Sequence, residues 1–550
     1  PWCNVMSDGK IGCVVSSECG FTFASNSRQE KLTRYYGDPY GGQGDGVVVG
    51  EGGTLWSPTR LPVTRDCAYE TYHGRGVSRF SCGACGAVTT LTVWVDDGVK
   101  YERVEIRNET RDVRTLDVMC FAEAVLGDHI AFTRGGIVCE RTERGARAMN
   151  GSLGLYLTAD VPASDVALTA EAFRYRSGRF RVCSHFAEGG CTPALAYSVR
   201  LTLPPEGRAE VVFALSTAPV TVTASPAEQS LRRIVERYAD LADVTSDERP
   251  ICYYLQSLAY QTLVSRFTAR CGYWQVGGAI GFRDQLQDAV ALIGICPDKV
   301  AEHIKLCAEH QFLSGDVLHW WHPPAVGVRT RICDDRLFLA YALCEYVEQT
   351  GDRSLLKASA FYLKDRPVPE NAPSLYAAFE RGDVSESILS HALRAVRSVR
   401  LSERGLVLMG GGDWNDGFDK LGEKGRGESV WCSMFLYYVL GKLSAYAEGE
   451  DVRYMERTRM KLYAAVRACY TGDRYIRAFD DEGRAIGVEK SDECRIDSLV
   501  QSWAVISGIS AGEEARRVLR RAVERLADDE HKIIKLLDPP FREDSDKRVG

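Results

Sequence analysis

Up to about residue 225, apolar and polar positions alternate with a period near two, as expected for strands that turn one face to a core and the other to water. The stretches "GVVVGEGGTLW", "AVTTLTVWVDDGVKYERVEIRNET", "RTLDVMCFAEAV" and "AYSVRLTLPPEGRAEVVFALS" carry this pattern, with turn residues between them. A large antiparallel β-sandwich over residues 1–224 is predicted. At "SPAEQSLRRIVERYADLADV" the period becomes helical. Ser225 and Pro226 stand as N-cap and N1, so residues 225–250 read as a helical linker. From 251 to 528 roughly ten amphipathic segments of helical period follow, and the fold class is mixed and multidomain.

The unusual residues lie in loops between those segments. They read "CGYWQVGGAIGFRDQLQD" (271–288), "HWWHPPAVGVRTRICDD" (319–335), "LMGGGDWNDGFD" (408–419) and "SDECRIDS" (491–498). Trp274, Trp320, Trp321 and Trp414 fall in the first three, beside acids and arginines. An indole covers the apolar face of a pyranose while charged groups bond its hydroxyls, so this mixture points to carbohydrate.

Each loop also has a plainer structural reading. Asp284 and Asp288, four apart, suit the first turn of a helix. "HWWHPP" suits a packed aromatic turn before a proline stop, and its histidines lack helical metal-ligand spacing. Arg329 and Arg331 suit an exposed loop, and Glu493, Arg495 and Asp497 a local ion-pair cluster.

The stretch 408–419 resists such a reading. Gly410, Gly411 and Gly412 permit close backbone approach, and Asn415 and Gly417 suit a turn, so Asp413 and Asp416 are presented from a stiff loop. A carboxyl wedged beside Trp414 is expected to be partly desolvated, which raises its pKa and suits it to donate a proton near neutral pH.

Composition narrows the function classes. With 550 residues, 45% of them apolar and 26% charged, the chain has material for at least two domains. Lys plus Arg number 68 against 75 Asp plus Glu, a net charge of −7, and no long basic run occurs, which argues against nucleic-acid or membrane-surface partners. No apolar run has membrane-spanning length and the start lacks a signal-peptide pattern, so a cytoplasmic protein is expected. The 19 cysteines are odd in number and scattered through core-like segments, which favours reduced, buried thiols. The one CxxC, Cys82 and Cys85, lacks the partners of a zinc site, and no metal is expected. The chain has no initiator Met and stops at "LLDPPFREDSDKRVG", so it reads as a fragment.

The blocks "GGGDWNDGFDKLGEKGRGESVW", "GGAIGFRDQLQD", "HWWHPP" with "GVRTRICDD", and "ECRIDSLVQSWAV" resemble the signature blocks of glycoside hydrolase family 94, the inverting disaccharide and oligosaccharide phosphorylases. The similarity extends over nearly the whole chain. Within the family the blocks are most similar to 1,2-β-oligoglucan phosphorylases and to the C-terminal domain of cyclic β-1,2-glucan synthases. The resemblance implies a β-sandwich, a helical linker and, over 251–550, an (α/α)6 barrel incomplete at its C-terminus. It implies phosphorolysis of a β-glucosidic bond to give α-glucose 1-phosphate, with inorganic phosphate as co-substrate and no cofactor. The general acid falls on Asp416. Trp414, Asp284 and Arg283 fall in the subsite of the transferred glucose, and Asp335 is a weaker match; Arg331, Trp321, His322, Glu493 and Arg495 are further substrate-binding candidates.

Two departures stand out. Where cellobiose and chitobiose phosphorylases have an arginine five residues before the Arg of "FRD", this chain has Gly278, which argues against cellobiose. The family's main phosphate contacts are expected after residue 550. The oligomeric state is open, a homodimer among the possibilities. Two other functions compete: an inverting hydrolase using Asp416 as acid and Asp284 or Asp335 as base, and a non-catalytic glucan-binding domain of a larger synthase.

Overall fold

The computed structural model describes residues 2–18, 20–36, 44–174, 180–182, 185–239, 241, 247–272 and 276–542. The chain divides into two compact units, Pro1–Ala279 and Ile280–Gly550.

In the first unit a nine-stranded and an eight-stranded sheet, with antiparallel pairings throughout, enclose one large apolar core. The strand Arg114–Gly127 shows how residues choose their face. Leu116, Val118, Cys120, Ala122, Ala124 and Leu126 point into the main core, while Met119 and Phe121 point the other way into a smaller cluster with Phe173 and Phe180. A strand covered on both faces loses its polar alternation, and this one reads as a nearly continuous buried run. The eight-stranded sheet does the same at Trp94, whose neighbours Val93 and Val95 face the main core. Trp94 packs outward against Ala227, Leu231 and Ile234 of the helix Ala224–Ala239 and donates its indole N–H to Ser230 at 3.0 Å.

One buried charge group crosses the sandwich. Lys100, 1% exposed, lies 2.5 Å from Asp45 and 2.6 Å from Glu102, and the Thr22 and Thr33 hydroxyls donate to Asp45 at 2.6 Å each. The two carboxylates hold the Lys100 ammonium well above its ordinary pKa even though burial, the largest influence on it, acts in the opposite sense.

The first unit runs further along the chain than the sequence pattern suggests. The helix Arg249–Leu263, expected to open the helical domain at 251, packs on the first strands instead. Tyr260 and Val264 join Val5, Val14, Phe21 and Phe23, and Gln261 donates to Asn4 at 2.6 Å. Gly278 follows it at φ +63°, where a Cβ would come 2.3 Å from the Asn26 side-chain oxygen. The backbone there favours glycine, since any other side chain would strain the positive φ and displace Asn26.

The second unit is mainly helical. Among the described residues nine helices of nine or more residues lie between Arg249 and Leu526, against about ten read from periodicity. Part of the apolar patterning there belongs to the strands Ser359–Leu363, Ser374–Ala378 and Arg381–Ser387. Helices alternate in environment. Phe282–Leu292, Leu337–Thr350, Val430–Leu443 and Ser498–Ile506 pack one against the next, and Pro297–Ala308, Ile388–Arg397, Glu450–Arg467 and Gly512–Leu526 each pack against members of that row. Sequence decides which row a helix joins. "VWCSMFLYYVLGKL" is apolar nearly all round and ten of its residues are buried, whereas "GEEARRVLRRAVERL" buries only Val518 and Leu526.

None of the described cysteines is disulfide-bonded. No helix among the described residues is long and apolar enough to cross a membrane, and no His/Cys/Asp/Glu group among them is arranged to hold a metal.

Candidate active site

The glycine run of 410–412 is a docking strip. Gly411 N–H donates to the Arg331 carbonyl and Cys333 N–H to the Gly412 carbonyl, each at 3.1 Å. Gly410, at φ +62°, would put a Cβ 2.3 Å from that Arg331 oxygen, so the close approach demands glycine. Segment 331–335 is thereby fixed against loop 410–416, and Asp334 and Asp335 arrive beside Asp413 and Asp416.

Arg283 joins them. It sits in the first turn of the helix Phe282–Leu292, 4% exposed. Its Nη1 lies 3.3 Å from both Asp334 oxygens, 3.7 Å from Asp335 Oδ1 and 3.1 Å from the Asp413 carbonyl, while Nη2 donates to Asp416 Oδ1 at 2.8 Å. His319 approaches from the strand Leu318–His322, its Nδ1 2.9 Å from Asp335 Oδ2. Asp334, Asp335 and Asp416 therefore share one guanidinium, with the His319 imidazole behind Asp335.

The electrostatics lower the cluster's net negative charge. Burial pushes the Asp334 carboxyl well above the usual range; Arg283 opposes this, and Asp335 and Asp413 add to it. Burial alone would lower His319, but the Asp335 carboxylate outweighs it and raises the imidazole pKa, favouring imidazolium. The neutral form of Asp334 and the cationic form of His319 are thus both promoted.

The candidate acid itself is open to water. Asp416 begins a short 3-10 turn, Asp416–Phe418, and its side chain is 61% exposed. Trp414 is half-buried and donates its indole N–H to Gln287 Oε1 at 3.3 Å, which directs the ring toward the helix that bears Arg283. The enclosure of an acid by this indole, expected from sequence, is not found, because Asp416 projects from the turn into solvent. Asp413 is the enclosed one. It is completely buried, and although burial pushes its pKa up, the bidentate Arg477 guanidinium at 2.7 and 2.8 Å holds it below the usual carboxylate range. A carboxylate so committed has no proton to deliver, which leaves Asp416 as the candidate acid of this loop.

The other predicted residues divide. Asp284, 57% exposed, lies on the same helix, its Oδ1 3.9 Å from Arg283 Nε. Trp321 is fully buried, stacked on His310 at a centroid distance of 4.0 Å, and lines no open surface. His322 is 4% exposed and meets Trp320 edge-on at 5.9 Å. Arg331 turns away from the carboxylates and donates to the carbonyls of Ala372, Val368 and Pro369. Glu493 accepts from Arg542, and Arg495 donates to the Ser491 carbonyl, so among the described residues both are engaged away from the Arg283 cluster. Arg329 is a structural residue, paired with Asp316 at 2.7 Å and Asp365 at 2.8 Å. Trp274 lies outside the described residues.

Sequence reasoning passed over His319, Asp334, Gln287 and Arg477. The first three stand inside the quoted blocks, and His319 and Asp334 were readable as candidates beside Trp320 and Asp335. Arg477, in "YIRAF", carries no local signal.

In fold, this is a β-sandwich followed by paired helices, the class of a bacterial glucoamylase solved with acarbose, which is 8% identical with a TM-score of 0.56 over 95% of this chain and 78% of that one. The family is more specific. Residues 254–549 match the catalytic domain of the glycosyl hydrolase 94 superfamily and residues 1–150 its supersandwich domain, and the chain belongs to that superfamily. The chain is 30% identical to the cyclic beta-(1,2)-glucan synthase NdvB of Rhizobium meliloti over 98% of its own length, and 26% identical to the solabiose phosphorylase of Paenibacillus borealis over 90%. It spans 21% of the length of the synthase and 66% of that of the phosphorylase.

Proposed function

We propose that the protein catalyses inverting phosphorolysis of β-glucosidic bonds, with β-1,2-linked gluco-oligosaccharides as substrate, releasing α-glucose 1-phosphate and a shortened oligosaccharide. The observation that carries this reading is Asp416: a solvent-reachable carboxyl on a glycine-anchored loop, 2.8 Å from a buried arginine and two residues from an exposed indole edge. Asp416 protonates the glycosidic oxygen as phosphate attacks the opposite face of the anomeric carbon. Phosphate is already an anionic nucleophile, so one carboxyl suffices. Trp414 stacks on the transferred glucose and Asp284 addresses its hydroxyls, while Arg283, Asp335 and His319, less exposed, act from behind Asp416 by fixing its position and charge. Arg331, Trp321 and His322 act through the loops they brace, and Glu493 and Arg495 are kept as substrate-binding candidates outside the Arg283 cluster. The paired helices of the second unit are read as part of an (α/α)6 barrel that follows the sandwich and the helical linker. Phosphate is the co-substrate and no cofactor is required; free thiols suit a cytoplasmic setting.

The preference for β-1,2 linkages rests on the similarity to the glucan synthase. One feature favours a second reading: Asp284 is another exposed carboxylate near the same arginine, as an inverting hydrolase would need for its base. Incubating β-1,2-, β-1,3- and β-1,4-gluco-oligosaccharides with and without phosphate decides between them. Phosphate-dependent glucose 1-phosphate, lost by about a hundredfold or more in Asp416→Asn, supports phosphorolysis. Product formed without phosphate supports hydrolysis, and binding without turnover supports a non-catalytic glucan-binding domain.

A further inference from the structure

The geometry points to Arg477 as the positioning residue of the Asp416 loop, a role that rests on the reading of Asp416 as the general acid. Arg477, Asp413 and Ser429 are fully buried and Asp497 is 1% exposed, so none of them meets substrate. Arg477 Nη1 and Nη2 grip the two oxygens of Asp413, and its Nε lies 3.3 Å from Asp497 Oδ2. Its guanidinium also lies 4.7 Å from the centre of the Phe418 ring. Arg477 thus supports the loop at Asp413, just before Trp414, and again at the end of the turn that begins with Asp416.

The contacts continue in both directions. Asp413 Oδ1 accepts the Asn415 N–H at 3.1 Å, closing the turn that sets the course of residues 414–416, and Oδ2 accepts the Ser429 hydroxyl at 2.6 Å. The Asp413 carbonyl accepts from Arg283, the residue that holds Asp416. Ser429 caps the helix Val430–Leu443 through the Cys432 N–H at 3.0 Å, and Asp497 caps Ser498–Ile506 through the Leu499 N–H at 2.8 Å. Arg477 therefore registers the loop against the N-termini of two helices of the same row. A fork with three directed donors does this where a single ammonium cannot. An error of about 1 Å in an acid's position is enough to cost about a hundredfold in rate.

The test compares Arg477→Lys, which keeps the charge but loses the fork, with Asp497→Asn, which keeps the helix cap because Asn caps as well as Asp. Steady-state phosphorolysis of a β-1,2-gluco-oligosaccharide is measured beside hydrogen exchange of the peptide 409–420, read by mass spectrometry without substrate. Arg477→Lys is expected to lower kcat about tenfold or more with KM within about twofold, and to speed exchange in 409–420 while helices 430–443 and 498–506 exchange as in the wild type. Asp497→Asn is expected to give the same pattern, smaller. Wild-type kcat in a folded Arg477→Lys protein overturns the proposal, as does exchange that rises equally in loop and helices. Should Arg477→Lys fail to fold, wild-type kcat and exchange in Asp497→Asn overturn it instead. If Asp416→Asn remains active in the same assay, the acid assignment falls, and the exchange of 409–420 still decides whether Arg477 holds the loop.

Discussion

Asp413 and Asp416 stand three residues apart on one loop and meet opposite environments: Asp413 is sealed against Arg477 with no exposure, and Asp416 is 61% exposed beside Arg283. Two like side chains are thus given separate work by their surroundings. Asp413→Asn leaves the buried guanidinium of Arg477 undercompensated and is expected to destabilise the protein by about 3–5 kcal/mol. Asp416→Asn, at a side chain 61% exposed whose partner Arg283 keeps Asp334 and Asp335, is expected to cost under about 1 kcal/mol. Denaturant unfolding of the two variants checks the contrast; equal destabilisation would contradict it.

Trp414 is expected to serve in stacking and not in tuning the acid. Trp414→Ala should raise KM about five- to tenfold, the equivalent of about 1–1.5 kcal/mol of lost ring contact. The pH profile should keep its shape, since the indole does not enclose Asp416. Gln287→Leu, which removes the oxygen that accepts the indole N–H, should raise KM in the same direction by less. A shifted acidic limb in Trp414→Ala would restore the desolvation account.

His319 carries a pH signature with a definite sign. Its pKa is raised in the folded state by Asp335, so the imidazolium form is favoured by folding. The stabilisation is complete below the ordinary histidine value of about 6.5 and is lost as pH rises through the raised folded value. His319→Gln is expected to lower thermal stability at pH 6 and to converge with the wild type at higher pH. Melting curves from pH 5.5 to 9 measure this, and a difference that grows with pH would refute it.

Lys100 offers a test far from the chemistry. Lys100→Met fits the volume but strands Asp45 and Glu102 inside the sandwich, and it is expected to destabilise the first unit by about 3–5 kcal/mol. Replacing all three by apolar residues should recover much of that loss. A single variant as stable as the wild type, by calorimetry, would show that water reaches the pair.

Local pattern determined a good deal here. The two-residue alternation marks strands such as Val99–Asn108, because one pleated face meets a core and the other water. The glycine run 410–412 marks a tight approach, because a side chain there would strike the Arg331 carbonyl. The blocks carrying Arg283, Asp335, Trp414 and Asp416 all fall within residues 254–549, the stretch that matches the family's catalytic domain.

What the sequence could not decide is which residues face one another. Apolar strength in Arg249–Leu263 does not say whether it packs on strands or on helices, and only the fold sends it to Val5 and Phe23. Trp320 and Trp321 are neighbours of the same type, yet the pleat buries the second wholly and leaves the first partly open. Arg477 lies 64 residues from Asp413, and no spacing rule links them. Burial and charge pairing are properties of the folded neighbourhood, so the contrasting surroundings of Asp413 and Asp416 were set by tertiary structure, whereas the loop that presents both was written in the glycines around them.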